Sequence, residues 1–314
     1  MVGCRLRSVT TRPGTDGSGG ALARAAGADL VRRGLGALGW SGAVRVVGRL
    51  AGGGSGSQVF LVELDGERAV LKVTEDPGWY DRAERELAVY RNLAASLDGF
   101  LPVVRATHRD PGGVRLLLGA HEPYPSATAL TDDGWGELAG RLGRLHSLPF
   151  PRPAWLSPRP WPSTEQVAGA LRLWAGHGVT DLAWRAAHQL DIARTLLSPL
   201  GTVLVHGDCH VGNLLRGPSG PLWADWQETH LGSGLDDLVF LWQRAEFDGA
   251  HPPRGTMTAA YTAARGCSVD AGLRSALAAS ELRLLLVSWP PFLGYGTADR
   301  RRVMTGRLQQ LVDG

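Results

Sequence analysis

Cysteine is scarce in this 314-residue sequence: Cys4, Cys209 and Cys267 are the only three, and none forms a Cys-x-x-Cys pair. That scarcity excludes a disulfide framework and a cysteine-built zinc site, and it points to a reducing compartment. Long apolar runs are missing too, since none reaches the roughly eighteen residues that a membrane-spanning helix requires. Arg5, Arg7, Arg12 and Asp16 interrupt any signal-peptide core at the start, so a cytoplasmic protein without a membrane partner is expected. An excess of one charge sign is also lacking. The 33 Lys and Arg residues stand against 30 Asp and Glu, leaving a net charge of +3, and the cations are scattered instead of massed. No nucleic-acid partner is expected from such a distribution. What remains, 44% hydrophobic and 20% charged residues, suits a globular chain of one large or two modest domains, each able to bury a core.

Residues 8–20 have linker composition, and residues 1–20 read as a disordered leader. Ala21 to Leu38 has a helical pattern, and Val44 to Leu50 reads as a strand before the glycine-rich stretch Ala51–Ser57. Val59–Leu64 and Arg68–Thr74 flank Asp65-Gly66, which predicts a hairpin. Trp79 to Leu97 has helical spacing, with Leu87, Tyr90, Leu93 and Ala94 along one face. Val103-Val104 and Val114–Leu118 suggest two more strands around Asp110-Pro-Gly-Gly113. Beyond Gly119 the texture changes: 134–147, 164–176, 180–198, 256–265 and 271–289 have helical patterns, with two short strand-like runs near Asp208 and Asp225. A β-rich part over 21–120 and a helical part over 121–314 predict a two-lobed α+β molecule. No internal repeat is present.

The chemistry concentrates in Val203-Leu-Val-His206-Gly-Asp208-Cys-His210-Val-Gly-Asn213-Leu-Leu215, followed ten residues later by Leu222-Trp-Ala-Asp225-Trp226. An apolar run delivers a carboxylate and an amide into a polar loop, and a second apolar run ends on another carboxylate. Phosphoryl transfer needs such a set, one group for a hydroxyl nucleophile and two for nucleotide-bound magnesium. Two rival readings exist. His-Gly-Asp could be a tight turn with a capping aspartate, which leaves Asn213 and Asp225 without a role. His206, Asp208 and His210 could instead share one face of a strand as metal ligands of a hydrolase, although Gly207 and the lack of an outer His/Asp cluster weaken that arrangement.

Earlier in the chain, Gly52-Gly-Gly-Ser-Gly56 lies between two strand-like segments. No Gly-Lys-Ser/Thr and no helix follow it, so it is neither a Walker loop nor a dinucleotide loop. A strand–glycine loop–strand hairpin is the form that folds over nucleotide phosphates in kinases. Lys72 sits in an apolar strand between Leu71 and Val73. It is either an edge-strand surface residue or a buried ammonium that needs an anionic partner. Glu86 in the following helix supplies that partner, with Glu84 as the alternative.

On these motifs the chain resembles the aminoglycoside phosphotransferase group of kinase-like enzymes, from about residue 45 to the end. Gly56-Ser57-Gln58, Arg85-Glu86, Leu145-His146 and Gly232…Asp237-Leu238 add to the likeness. The resemblance implies a protein-kinase-like fold with a nucleotide-binding first lobe, ATP or GTP as phosphate donor, and Mg²⁺. It implies that Asp208 orients the acceptor hydroxyl and takes its proton, that Asn213 and Asp225 bind the metal, and that Lys72 holds the phosphates against Glu86. Ser55, Gly56 and Ser57 would lie over the nucleotide, and the backbone of Gly119, Ala120 and His121 would meet its base. His206 would brace the loop, and Asp237 would tie down the segment after Asp225. The sequence departs from the family pattern at Gln58, Cys209, Val211 and Gln227. Val211 stands where proline is common, which should alter loop rigidity more than chemistry.

The acceptor is expected to be a small-molecule alcohol, an antibiotic in the leading reading. A sugar, amino acid or choline-like metabolite is the alternative, and a nucleotide-binding pseudokinase is the alternative of another class. Gln227, Glu228 and Trp289 are the candidate acceptor contacts, in a monomer or homodimer. Residues 141–200 hold three acids against seven arginines, and 228–300 hold eight acids against six. That balance leans toward an acceptor less cationic than a typical aminoglycoside.

Overall fold

The computed structural model describes residues 19–50 and 56–314. Among them, no helix is both long and apolar enough to cross a membrane. The described residues up to Ala94, with Leu101–Glu122, form one compact unit, and Ala95–Phe100 with Pro123–Gly314 form a second.

The first unit runs α1 (Gly19–Ala37), β1 (Val44–Leu50), β2 (Gln58–Leu64), β3 (Glu67–Thr74), α2 (Tyr80–Asn92), β4 (Val104–Asp110) and β5 (Gly113–Gly119). Its strands make one antiparallel sheet in the order β1-β2-β3-β5-β4. Asp65 and Gly66 both take positive φ, 50° and 90°, the conformation a two-residue hairpin requires. That turn sets the register that pairs Phe60 with Leu71 and Val62 with Ala69. With a side-chain period of two, these residues and Val73 fall on one face, where Leu30, Val31 and Leu35 of α1 complete the core. Lys72 therefore points to the other face. The helix after Trp79 is shorter than its spacing predicts: α2 ends at Asn92, and the chain continues in turns that still bury Leu93 and Leu97 before Gly99 at φ 76°.

The second unit holds α3 (Asp132–Leu145), α4 (Thr164–Gly176), α5 (Thr180–His188), α6 (Leu190–Leu197), β6 (Val203–Val205), β7 (Leu214–Gly217), β8 (Gly220–Trp223), β9 (His230–Gly232), α7 (Leu235–Phe247), α8 (Arg254–Ala264) and α9 (Ala271–Arg283). A π-helical segment, Leu284–Ser288, then leads to α10 (Pro290–Leu293) and α11 (Ala298–Asp313). Ser163 and Gln166 form a reciprocal capping box at the start of α4. The helical pattern over 180–198 resolves into two helices that break at Gln189. Trp174, Leu285, Leu286, Trp289 and Leu308 centre the core of this unit. Two small antiparallel pairs, β6 with β9 and β7 with β8, sit among the helices. They position the polar loop.

Candidate active site

β6 ends at Val205, and the chain turns through Gly207, whose φ is 84°. A Cβ at Gly207 would overlap the Glu228 carbonyl oxygen, so this turn needs glycine on both counts. Asp237, two residues into α7, grips the turn: its carboxylate accepts the His206 N–H at 2.6 Å and the Gly207 N–H at 2.8 Å. His146, which caps the end of α3, binds the same carboxylate through Nε2 at 3.1 Å. The Tyr261 hydroxyl meets His146 Nδ1 at 2.8 Å, and Arg265 donates to that hydroxyl at 2.9 Å. Burial alone would raise the Asp237 carboxyl, but the His146 hydrogen bond and charge, with the Gly207 N–H, hold it below the usual range. Asp237, at the end of the segment after Asp225, thus anchors the entrance of the Asp208 loop.

His206 is fully buried. Its Nδ1 accepts the Asp208 N–H at 3.3 Å, and its Nε2 donates to the Ala224 carbonyl at 2.9 Å. Burial pushes its pKa down, which keeps the ring neutral and suits this tautomer. Gly212 N–H occupies His210 Nδ1 at 3.1 Å. Both nitrogens of His206 and Nδ1 of His210 are therefore spent on backbone hydrogen bonds, which leaves no shared ligand set of the kind a metal hydrolase needs. Asp208 lies between them. Asn213 Nδ2 donates to its Oδ2 at 3.1 Å and to its carbonyl at 2.9 Å, and His210 Nε2 stands 3.7 Å from Oδ2. Burial would raise the Asp208 carboxyl; His210 and the Asn213 hydrogen bond outweigh it and hold the group well below the ordinary carboxylate range.

The β7–β8 hairpin brings Asn213 and Asp225 together. Leu214 pairs with Trp223, so the residues one step beyond the pair, Asn213 and Ala224, also face each other. The Ala224 N–H donates to the Asn213 carbonyl at 2.9 Å. Asp225 follows with φ 64° and ψ 58°, a left-handed conformation that is uncommon outside glycine and concentrates at functional sites. Buried aromatics brace this corner, with Trp226 Nε1 donating to the Trp223 carbonyl at 2.8 Å and its ring 4.6 Å from His206. Trp223 Nε1 meets Cys209 Sγ at 3.4 Å. Cys209 is a small buried thiol whose pKa burial drives up. Asp225 thus directly follows the residue paired with Asn213, and an amide and a carboxylate are oxygen groups of the kind a hard divalent cation takes.

In the first unit, Lys72 Nζ donates to Glu86 Oε2 at 2.6 Å, and both side chains are buried. Glu84 is engaged elsewhere, by Arg109 at 2.5 Å. Lys72 is the single lysine of the chain; the other 32 of the 33 basic residues are arginine. That singularity marks the position more sharply than its strand context does, because an ammonium and a guanidinium present different donors. Gly56 takes φ 65°, and a Cβ there would strike the Trp79 ring. The Ser57 hydroxyl meets that of Thr74 at 2.7 Å. Ser55 lies outside the described residues. Gly119, Ala120 and His121, all half-buried, lie at the end of β5 and just beyond it.

Of the acceptor candidates, Trp289 is placed in the core: it is 2% exposed, donates to Gln243 at 2.8 Å and stacks on Phe240 and Phe247. Gln227 is buried as well. Glu228 stays partly open and is bonded by Arg159, a residue the sequence did not single out. His146 and Tyr261 likewise acquire roles that only their long-range partners reveal.

Beside Glu228, His230 donates from Nδ1 to the Glu228 carbonyl at 2.9 Å. Burial, with Arg159 adding to it, pushes the His230 pKa down to about 4. A histidine held neutral when folded contributes stability above its unfolded pKa of about 6.5 and loses it as pH falls toward about 4, a span worth roughly 3 kcal/mol. Denaturant midpoints should therefore drop between pH 7 and pH 5, and His230→Gln should flatten that slope. An unchanged slope in the variant would assign the acid sensitivity elsewhere.

Comparison with known proteins follows the same lines. A family model described as the phosphotransferase enzyme family, APH, matches residues 47–291. No curated protein matches the chain. Among solved structures, the chain is similar to spectinomycin phosphotransferase APH(9)-Ia in complex with ADP and spectinomycin, at 15% identity and TM-score 0.60, covering 91% of this chain and 96% of that one. It is similar to the amicoumacin kinase hAmiN in complex with AMP-PNP, Ca²⁺ and Ami, at 15% identity and TM-score 0.60, covering 95% and 96%. A choline/ethanolamine kinase family protein from Mesorhizobium loti matches at 19% identity and TM-score 0.59, covering 90% and 93%. At these identities the likeness concerns the fold, which is the two-lobed, kinase-like α+β fold.

Proposed function

Because the chain belongs to the phosphotransferase enzyme family, we propose that it transfers the γ-phosphate of ATP or GTP to a hydroxyl of an antibiotic or related natural product, in resistance or self-protection. The observation that carries this reading is the hairpin that pairs Asn213 with Ala224, next to Asp225, while Asn213 also holds the Asp208 carboxylate. Asp208, kept ionised, would accept the hydrogen bond of the acceptor hydroxyl and take its proton as the phosphate bond forms. The donation from Asn213 Nδ2 to Asp208 leaves the amide oxygen for a cation, with the Asp225 carboxylate as second ligand; these two residues would hold Mg²⁺. The metal, when bound, neutralises charge on the phosphates. Lys72, fixed by Glu86, would hold the α- and β-phosphates, with Gly56 and Ser57 over the nucleotide and the backbone of Gly119, Ala120 and His121 toward its base. His206 and Asp237 fix the loop so that little reorganisation accompanies transfer.

A metabolite kinase is the second reading, favoured by the similarity in fold to a choline/ethanolamine kinase family protein. Acceptor-dependent release of nucleoside diphosphate across a panel of antibiotics and of sugar, amino-acid and choline-like alcohols separates the two. Turnover confined to the metabolites would replace the antibiotic reading, and no acceptor-dependent turnover at all would sink both. The nucleotide role has its own test. Lys72 offers the only lysine side chain to an amine-directed reagent, so peptide mass spectrometry reads it without interference. ATP or GTP with Mg²⁺ should slow its labelling about tenfold, a protection of roughly 1.4 kcal/mol. Equal labelling with and without nucleotide would remove Lys72 from the phosphate site.

A further inference from the structure

The wall next to the Asp208 loop carries a charge pattern of its own. Gly207 lies against Glu228, whose carbonyl and Cβ both crowd the space a Gly207 side chain would take. Glu228 is thus in contact with the residue preceding Asp208. Its carboxylate is matched: Arg159 Nη2 donates to Glu228 Oε2 at 3.2 Å and to the Glu228 carbonyl at 3.3 Å. Further along, Arg283 pairs with Asp236, which also accepts the Ser280 hydroxyl at 2.5 Å. Arg283 lies 5.5 Å from the Trp161 ring, two residues from Arg159 in sequence. Arg159 has Glu228, Arg283, Asp236 and Asp237 as its charged neighbours, so the two pairs share one patch.

These pairs are not sealed in the core. The Glu228 side chain is 27% exposed and that of Asp236 20%, so both keep partial contact with solvent. Their neighbour Asp237 is buried on the His206 and Gly207 amides. A polycationic acceptor is recognised by carboxylates that meet its ammonium groups, and an acid already held by an arginine gains little by exchanging one cation for another. Three of the six other arginines of the 141–200 stretch are engaged elsewhere: Arg141 is buried against Phe100, Arg152 bonds Thr202, and Arg185 pairs with Asp313.

We propose that Arg159 and Arg283 are specificity-determining residues that neutralise Glu228 and Asp236, so that the acceptor is a neutral or singly charged hydroxyl compound and not a polycation. This rests on the reading that the acceptor hydroxyl is presented to Asp208. Removing Arg159 should strip Glu228 of this cation and create affinity for ammonium groups that the native protein lacks.

The test uses two probes of one shape, a tetracationic aminosugar antibiotic and its fully N-acetylated, uncharged counterpart. Calorimetry measures both on the native chain, Arg159→Ala, Arg159→Lys and Arg159→Ala/Glu228→Gln, with thermal melts confirming that each variant is folded. In Arg159→Ala the preference for the tetracation over the acetylated probe should rise about fivefold. It should return to the native value in the double variant and stay native in Arg159→Lys. A merely structural role for Arg159 would not give a charge-selective gain that the Glu228 substitution reverses. Native protein that prefers the tetracation fivefold or more, or a folded Arg159→Ala without the gain, would overturn the proposal. Nucleoside diphosphate release is followed in the same samples. A charge-selective gain upholds the assignment of this wall whether or not these probes accept phosphate, and nucleoside diphosphate release with the acceptor panel tests the phosphotransferase reading separately.

Discussion

Asp208→Asn should lower turnover by roughly 10³- to 10⁴-fold while leaving the protein folded. Asp208 takes part in no buried pairing that the fold depends on. Its side chain is 37% exposed, and its partners are the amide of Asn213 and the ring of His210. An asparagine of the same shape keeps an acceptor for Asn213, so the loop should hold. What it lacks is the negative charge, which the surroundings maintain by keeping the native carboxyl well below its usual range. The Michaelis constant for the nucleotide should change little, because the proposed nucleotide contacts lie on Lys72, Asn213 and Asp225. Steady-state kinetics with saturating nucleotide checks this directly. A variant retaining more than about a tenth of native turnover would show that no side-chain base acts at this position.

Asp237→Ala should be the most destabilising single change near the site. The native carboxylate is 1% exposed and satisfies two backbone N–H groups and the His146 ring. Alanine leaves those donors buried without an acceptor, a loss of about 3–5 kcal/mol by analogy with broken buried pairs. The expected drop in melting temperature is roughly 10 °C. Amide exchange at His206 and Gly207 should accelerate in parallel, because their N–H groups lose their acceptor. Asp237→Asn should fall between the two, since one amide oxygen replaces two carboxylate oxygens. A melting curve that matches the native one would mean that the loop is held by β6 pairing with β9 alone.

Much of this architecture was legible in the residues themselves, for physical reasons. The hairpin of β2 and β3 was readable because Asp65-Gly66 adopts positive φ where the alternation of Phe60, Val62 and Leu64 demands a tight reversal. The polar loop was readable because a carboxylate, an amide and a second carboxylate seldom follow apolar runs at this spacing without a common task. Other elements gave no periodic signal. α7 buries Leu238, Val239, Leu241, Trp242 and Ala245, so it is apolar around most of its circumference and shows no stripe. α11 begins with Asp299 and three consecutive arginines and buries only Met304 and Leu308. Long-range partners were hidden altogether. Nothing local ties His146 to Tyr261, 115 residues away, or Arg159 to Glu228, 69 residues away. Trp289 misled for a related reason: a tryptophan in a helical half is equally suited to core and pocket, and only the contacts to Gln243 and Phe240 place it in the core.

The central claim is phosphate transfer to a hydroxyl with Asp208 beside the nucleophile. Phosphorus NMR of the reaction with ATP, Mg²⁺ and an acceptor from the active panel tests it most directly, run in parallel on the native chain and Asp208→Asn. The account predicts a phosphate ester on the acceptor, formed in step with nucleoside diphosphate by the native protein and at most about a thousandth as fast by the variant. Phosphate appearing only as the inorganic ion, at a rate indifferent to the acceptor, would contradict it, as would ester formation undiminished in Asp208→Asn.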